Sequence, residues 1–234
     1  MPHRIQILLV EDNDNDAELL VGELRRSGFD FDWQQVDTEA AFLAKLHPDV
    51  DLSGMIEHLD DWGERFPERS ELGRTAVNAA QEIVRGLGRG FAATLSSCVL
   101  SQLAAPFQRA WITSRANWAD LLSVVSAVHL ATLAGATRAG GHGLLVFDTS
   151  SSLDTPELAE LRGRSSEELE AFIERARAAG TLHLRNSPRE LALQLSSPGL
   201  KALVAEPTIG SPWLWQLGAD TQLVYSLSFT HPEG

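Results

Sequence analysis

Glu11 and Asp12 are adjacent carboxylates at the end of an apolar run, IQILLV, residues 5–10. In an open α/β sheet, groups placed just past a strand's carboxyl end face the ligand crevice. Two acids side by side repel each other unless a cation or a hydrogen-bond donor offsets them. Mg²⁺ is a hard cation commonly held by one or two carboxylates plus water, so the chemistry on offer is a divalent-metal corner. The elements that must position it follow directly. A strand is predicted over 5–10, and after a polar turn a helix over 14–27, with Ala17, Leu20, Val21 and Leu24 at three- and four-residue spacing and an end near Gly28. DFDWQQV (30–36) reads as a second strand, TEAAFLAKL (38–46) as a short helix capped by Thr38, and HPDVDL as a further extended segment. That β-α-β-α-β order with short connections points to a parallel sheet.

The same acids admit other chemistry. DNDNDAELLVGE (12–23) matches part of an EF-hand loop, with Asp12, Asp14 and Asp16 at its first, third and fifth positions and Glu23 at its twelfth. Ala17 stands where that loop needs glycine for a sharp turn, and an apolar strand precedes it where a helix is required. An acidic helix N-terminus, favoured by the helix dipole, accounts for Asp14 and Asp16 without a metal. Ser96, Ser97, His129 and Asp148 can be assembled into a hydrolytic triad on paper, but no G-x-S-x-G turn accompanies them. A metal-dependent hydrolase using Glu11, Asp12 and Asp60 lacks an identifiable nucleophile.

Composition narrows the field. The chain has 234 residues, enough for one large or two small domains, and its 44% hydrophobic and 22% charged content is that of a globular protein. A net charge of −13 argues against a nonspecific nucleic-acid binder. The single cysteine, Cys98, rules out an intramolecular disulfide and a multi-cysteine zinc site. MPHRIQILLV is too short in its apolar run for a signal peptide. LLSVVSAVHLATLAGA (121–136) falls short of the roughly 20 residues that span a bilayer and reads as a buried helix. A cytoplasmic protein with no membrane contact is expected.

From about residue 53 the chain turns polar and acidic, with Gly54, Gly63 and Pro67 as breaks. The expected organisation is a first segment over 1–62, a linker over 63–73 and a second domain over 74–234. Residues 74–87 read as a helix with Ala76, Ala80, Ile83, Val84 and Leu87 on one side. FAATLSSCVLSQLAA fits helix or strand, 107–136 reads as one or two helices, and Ala139, Gly140 and Gly141 read as a break. Strand patterns return in GLLVFD (143–148), TLHLRN (181–186), KALVAEP (201–207) and QLVYSLSF (222–229). A helix over 164–179 is expected to start at Ser165 or Ser166, with glutamates in its first turn. Of Trp213 and Trp215, in GSPWLWQLG, one is expected to pack inward.

IQILLV, the pair Glu11–Asp12, the following Asn13, the first helix and the spacing to HPDVDL resemble the receiver domain of bacterial two-component response regulators. The resemblance covers about the first 60 residues. It implies that the acid pair holds Mg²⁺ and that an aspartate ending the third strand accepts a phosphoryl group, since phosphoryl transfer relies on positioning and charge neutralisation. The family's spacing puts that acceptor near Ile56, which cannot accept phosphate; Glu57, Asp60 and Asp61 are the nearest acids, and Asp49 and Asp51 fall too early. The family's lysine after its fifth strand has no counterpart between Lys45 and Lys201. The implied segment is a truncated or degenerate receiver.

GLLVFD with its acidic sequel, LAELRGRSSEEL, AAGTLHLRN, SPGLKALVAEPTI and QLVYSLSFTHPEG, in that order, resemble a GAF domain, a bacterial sensing or dimerising module, over about residues 140–234. The resemblance implies a mixed or antiparallel sheet, with the helices of 74–136 packed on it. No bound bilin is implied, because Cys98 precedes the sheet strands. No haem is expected either: His183, the one axial-ligand candidate, sits in a strand-like segment where a structural histidine is the ordinary case. Together the two resemblances imply a non-enzymatic signalling protein acting through contacts with a partner such as a histidine kinase or an output protein, or with a second copy as a homodimer. A working phosphorelay receiver with a displaced acceptor, and a Mg²⁺-dependent hydrolase, are the alternatives.

Overall fold

A computed structural model of the chain describes residues 5–10, 18, 21–22, 25, 31–36, 69–87, 89–97, 118–182, 184 and 186–233. The chain divides into two compact units, residues 1–50 and 51–234. In the first, β1 (Ile5–Val10) and β2 (Phe31–Val36) pair in parallel, from Ile5 opposite Phe31 to Val10 opposite Val36. Glu18, Val21, Gly22 and Arg25 between them are helical. Val21 and Phe31 are buried, and the Arg25 guanidinium lies 5.8 Å from the Phe31 ring centroid. Parallel neighbours require a crossover, and a helix is the usual one.

The second unit is α/β, with a mixed sheet of five strands. β3 (Phe91–Ser97) pairs in parallel with β4 (Thr137–Ser151). β7 (Asp220–Thr230) runs antiparallel to β4 and carries β5 (Ala205–Ile209) and β6 (Trp213–Leu217) along its other flank. FAATLSS, open to either reading from sequence, is thus a strand. α1 (Arg69–Leu87) begins five residues before the expected 74, inside the stretch expected as linker. α2 (Trp118–Ala136) is the apolar helix of the sequence, and it lies between α1 and the strands β3 and β4. A helix apolar on all sides must be covered on all sides. Ala76, Ala80, Ile83 and Val84 are the buried stripe of α1, as their spacing predicts. A Cβ at Gly135 of α2 would stand 3.2 Å from Val84, so the helices meet closely there.

α3 (Ser166–Ala179) starts in a capping box: Ser165 Oγ accepts from the Glu168 amide at 3.2 Å, and Glu168 accepts from the Ser165 amide at 3.0 Å. Gly180 closes it in the left-handed conformation, φ 69°. α4 (Pro188–Leu195) is capped by Ser187. Three sequence readings give way. KALVAEP is a strand only from Ala205 on, its residues 201–203 forming a turn. TLHLRN forms no strand at its described positions: Leu182 packs on the core and the Asn186 side chain donates to the Asp148 carbonyl at 3.1 Å. Gly140 and Gly141 do not end the chain's extended run but lie within β4, where Gly140 takes φ 69° and the β3 register shifts. Glycine here bends a strand instead of breaking it.

The pleat sorts the sheet into two faces. Leu145 and Phe147 of β4, with Leu227 and Tyr225 opposite them on β7, point to the helices and form the core with Leu130, Leu133, Ile173, Leu191 and Leu195. Phe147 and Tyr225 stack with centroids 6.4 Å apart. The Phe229 ring lies over Gly143, where a Cβ would stand 2.1 Å from it. The other face carries the row Leu95, Leu144, Ser228 and Thr208 across four strands. Leu95 and Leu144 are 41% and 37% exposed.

Candidate functional site

The predicted metal and phosphoacceptor residues, Glu11, Asp12, Glu57, Asp60 and Asp61, lie outside the described residues, as do Asp14, Asp16, Glu23, Cys98 and His183. Val10, the last residue of β1, is followed in sequence by Glu11. Among the described residues no group of three or more His, Cys, Asp and Glu side chains is placed to hold a metal ion. No helix among them is long and apolar enough to cross a membrane.

The serine and histidine of the paper triad do meet. Ser96 Oγ lies 2.7 Å from Nε2 of His129, joining β3 to α2. Burial disfavours the imidazolium and pushes the His129 pKa from 6.5 down to about 4. His129 is therefore neutral at pH 7, and with Nε2 as acceptor it has the polarity of a general base for the serine hydroxyl. Ser96 itself is only 7% exposed. Asp148 does not complete the set. Ser96 is paired with Leu145 on the covered face, and Asp148, three residues further on and opposite Val224, belongs to the other face by alternation. Ser97, opposite Val146, points away from Ser96 for the same reason.

A second polar cluster went unread in the sequence. Thr149, Ser150 and Ser151 are fully buried at the end of β4, and Thr155 nearly so. Thr149 Oγ1 donates to the Leu223 carbonyl at 3.1 Å, Ser150 and Thr155 share a 3.1 Å hydroxyl contact, and Ser151 Oγ accepts from the Leu153 amide. Beside them Asp220 takes the amides of Ser152 (3.1 Å) and Thr221 (2.8 Å) and the hydroxyl of Ser152. Burial alone would raise the Asp220 pKa; the hydrogen bonds from Ser152, Thr221 and Ser151 outweigh it and hold the carboxyl below its ordinary value. The hydrogen bonds run between β4, the turn after it and the start of β7, so their first role is to lock strand ends. The only sequence signal was a stretch rich in small hydroxyl residues, DTSSSLDT, directly after the four apolar ones LLVF, where a solvent loop is the usual reading.

Trp213 and Trp215 depart from expectation. Leu214 between them faces the core, opposite Leu223, so both tryptophans project to the sheet's other face. Trp213 is 37% exposed and Trp215 partly so. No protein-family model matches this chain, and no curated protein matches it significantly.

Proposed function

We propose that this chain is a bacterial signal-transduction protein that works through protein contacts, with a receiver-like first unit and a GAF-like second unit. The observation that carries the reading is the β1–β2 pair: two parallel strands in register, helical backbone between them, and the acid pair Glu11–Asp12 directly after β1 in sequence. Ligands of open parallel sheets bind outside the strands' carboxyl ends. In this reading Glu11 and Asp12 hold Mg²⁺ weakly, and the metal offsets their mutual repulsion. With Ile56 in the acceptor's place, the bound metal organises a surface for a histidine kinase or an output protein instead of a phosphoryl transfer. The mixed sheet with helices on one face is what supports the GAF-like reading of the second unit.

Mg²⁺ titration followed by NMR shifts, with and without beryllofluoride, tests this. The expected result is a response at Glu11 and Asp12 that beryllofluoride leaves unchanged and Asp12→Ala abolishes. A response that grows with beryllofluoride overturns it in favour of a working receiver with Glu57, Asp60 or Asp61 at the metal. Phosphoester turnover lost in Asp12→Ala overturns it in favour of a Mg²⁺-dependent hydrolase. No response to Mg²⁺ removes the metal from the reading altogether.

A further inference from the structure

We infer that Ser96 is a nucleophile that takes up a small acyl group from an activated ester, with His129 as its general base. The inference concerns the second unit alone and does not depend on the reading of Glu11 and Asp12. Ser96 Oγ stands 2.7 Å from His129 Nε2, within the reach a base needs to accept a hydroxyl proton. Ser96 is the last residue but one of β3, where the ladder to β4 closes with Ser97 opposite Val146. β3 and β4 are parallel neighbours, and α2 leads into β4. The carboxyl ends of parallel strands are where α/β sheets bind ligands.

Two levels of hydrogen bonding fix the pair. By alternation Thr94 and Ser96 face the helices together. Thr94 Oγ1 lies 2.7 Å from Thr137 Oγ1, which in turn donates to the Leu133 carbonyl at 2.7 Å. Leu133 stands one turn beyond His129 on α2, so β3 is tied to the end of α2 next to the dyad. The attack geometry is therefore set before a substrate arrives, the preorganisation such a step needs. His129 is half-buried and neutral at pH 7. Its Nε2 lone pair is then free to accept from the Ser96 hydroxyl.

In the step itself an Oγ lone pair of Ser96 bonds to the acyl carbon, the Oγ proton passes to His129 Nε2, and the carbon–oxygen bond to the leaving group breaks. His129 then gives the proton to the departing oxygen, which leaves as an alcohol or phenol. Ser96 is 7% exposed, while Ser97 and His129 are half-buried. The approach is narrow and suits an acyl group of acetyl size. Asp148 lies on the other face of the sheet, so it does not stabilise the imidazolium that forms. A leaving group that departs with little help, such as a phenol, is what this pair can expel. The same lack slows hydrolysis of the acyl-serine, and the product is a chain that carries one acyl group.

Treatment of the full chain with p-nitrophenyl acetate at pH 7, with the adduct located by peptide mass mapping, decides the matter. The expected result is a burst of about one nitrophenol per chain, slow release after it, and the acetyl group on Ser96. His129→Gln still offers Ser96 a hydrogen-bond partner; it should slow the burst about 100-fold or more with unchanged circular dichroism. Ser96→Ala should abolish it. Wild-type chain unfolded in urea should leave Ser96 unmodified, because only the fold brings residues 96 and 129 together. No adduct on the folded wild type, or acetyl confined to Lys45, Lys201 or the amino terminus, overturns the inference whatever the variants do. So does acetylation of Ser96 at the same rate in urea, or at the wild-type rate in His129→Gln, which would mean a hydroxyl that reacts without a base.

Discussion

Leu144 and Leu145 are neighbours in β4, identical in type, and opposite in fate. Leu145 is fully buried under α2, while Leu144 is 37% exposed on a face that no described helix covers. The fold uses its sheet as a floor for the helices, and two leucines of the underside, Leu95 and Leu144, stay partly exposed. Both faces carry apolar residues, and these two partly exposed leucines lie on the same one. The covered face is a cluster of leucines and other aliphatics with three aromatic rings, Phe147, Tyr225 and Phe229; the other carries leucine and tryptophan among small hydroxyls. Burial of a leucine is worth about 1.5–3 kcal/mol, so the same residue type contributes its full share on one side and only part of it on the other.

The largest expected effect separates those roles. Leu145→Ala removes a fully buried side chain between β4 and the helices, and it should cost about 2–5 kcal/mol, the range for a leucine cavity that relaxes incompletely. Leu144→Ala, one residue away, should change the stability of the monomer by about 0.5 kcal/mol or less. Urea unfolding of both variants at a dilution below any self-association measures the difference. Similar losses at the two positions would erase the distinction between the faces.

How much of this was legible without coordinates follows from which interactions are local. β1 runs Ile5–Val10 as read, because five apolar residues in a run of six, ended by two acids, leave little choice. The capping box of Ser165 and Glu168 was visible because its two partners are three residues apart. The buried character of α2 was visible because every side of it is apolar. The two faces of GLLVFD were not separable: LLVF is apolar throughout, and alternation cannot show which side a helix covers. TLHLRN has a strand's period, yet β3 holds the flank of β4 as far as Val146, and beyond it the Asn186 side chain, not a ladder, reaches Asp148. Nothing in residues 96 and 129 announces their contact, because 33 residues separate them and only the β3–α2 packing brings them together.

That contact gives the second prediction. His129 must shed its proton to sit between β3 and α2, so its pKa is about 4 in the folded chain against 6.5 in its ordinary state. Between those values the unfolded chain holds a proton that the folded one does not. Stability therefore rises with pH across this window: the contribution is complete above pH 6.5 and is lost as pH falls toward 4. Its ceiling is ~3 kcal/mol. Urea midpoints at pH 7 and pH 4.5 should differ strongly in the wild type. The difference should shrink in His129→Gln, which keeps a partner for Ser96 and removes the titration. An unchanged pH dependence in that variant would mean the covered face does not depend on a neutral imidazole.

The smallest effect tests whether the covering layer is held from its own end or by the sheet beneath it. Ser165→Ala deletes the acceptor for the Glu168 amide and should cost about 1 kcal/mol. Leu169 and Ile173, one and two turns into α3, are buried in the core against the sheet. If that packing fixes the helix, the lost cap frays only its first turn, and amide exchange should quicken near Glu167 and Glu168 while remaining slow at Ile173. Faster exchange throughout α3 would mean the helix is positioned from its N-terminus. The sheet's covered face would then be shielded by a layer less firmly seated than the burial of Leu145 implies, and the contrast with the open face would be one of degree.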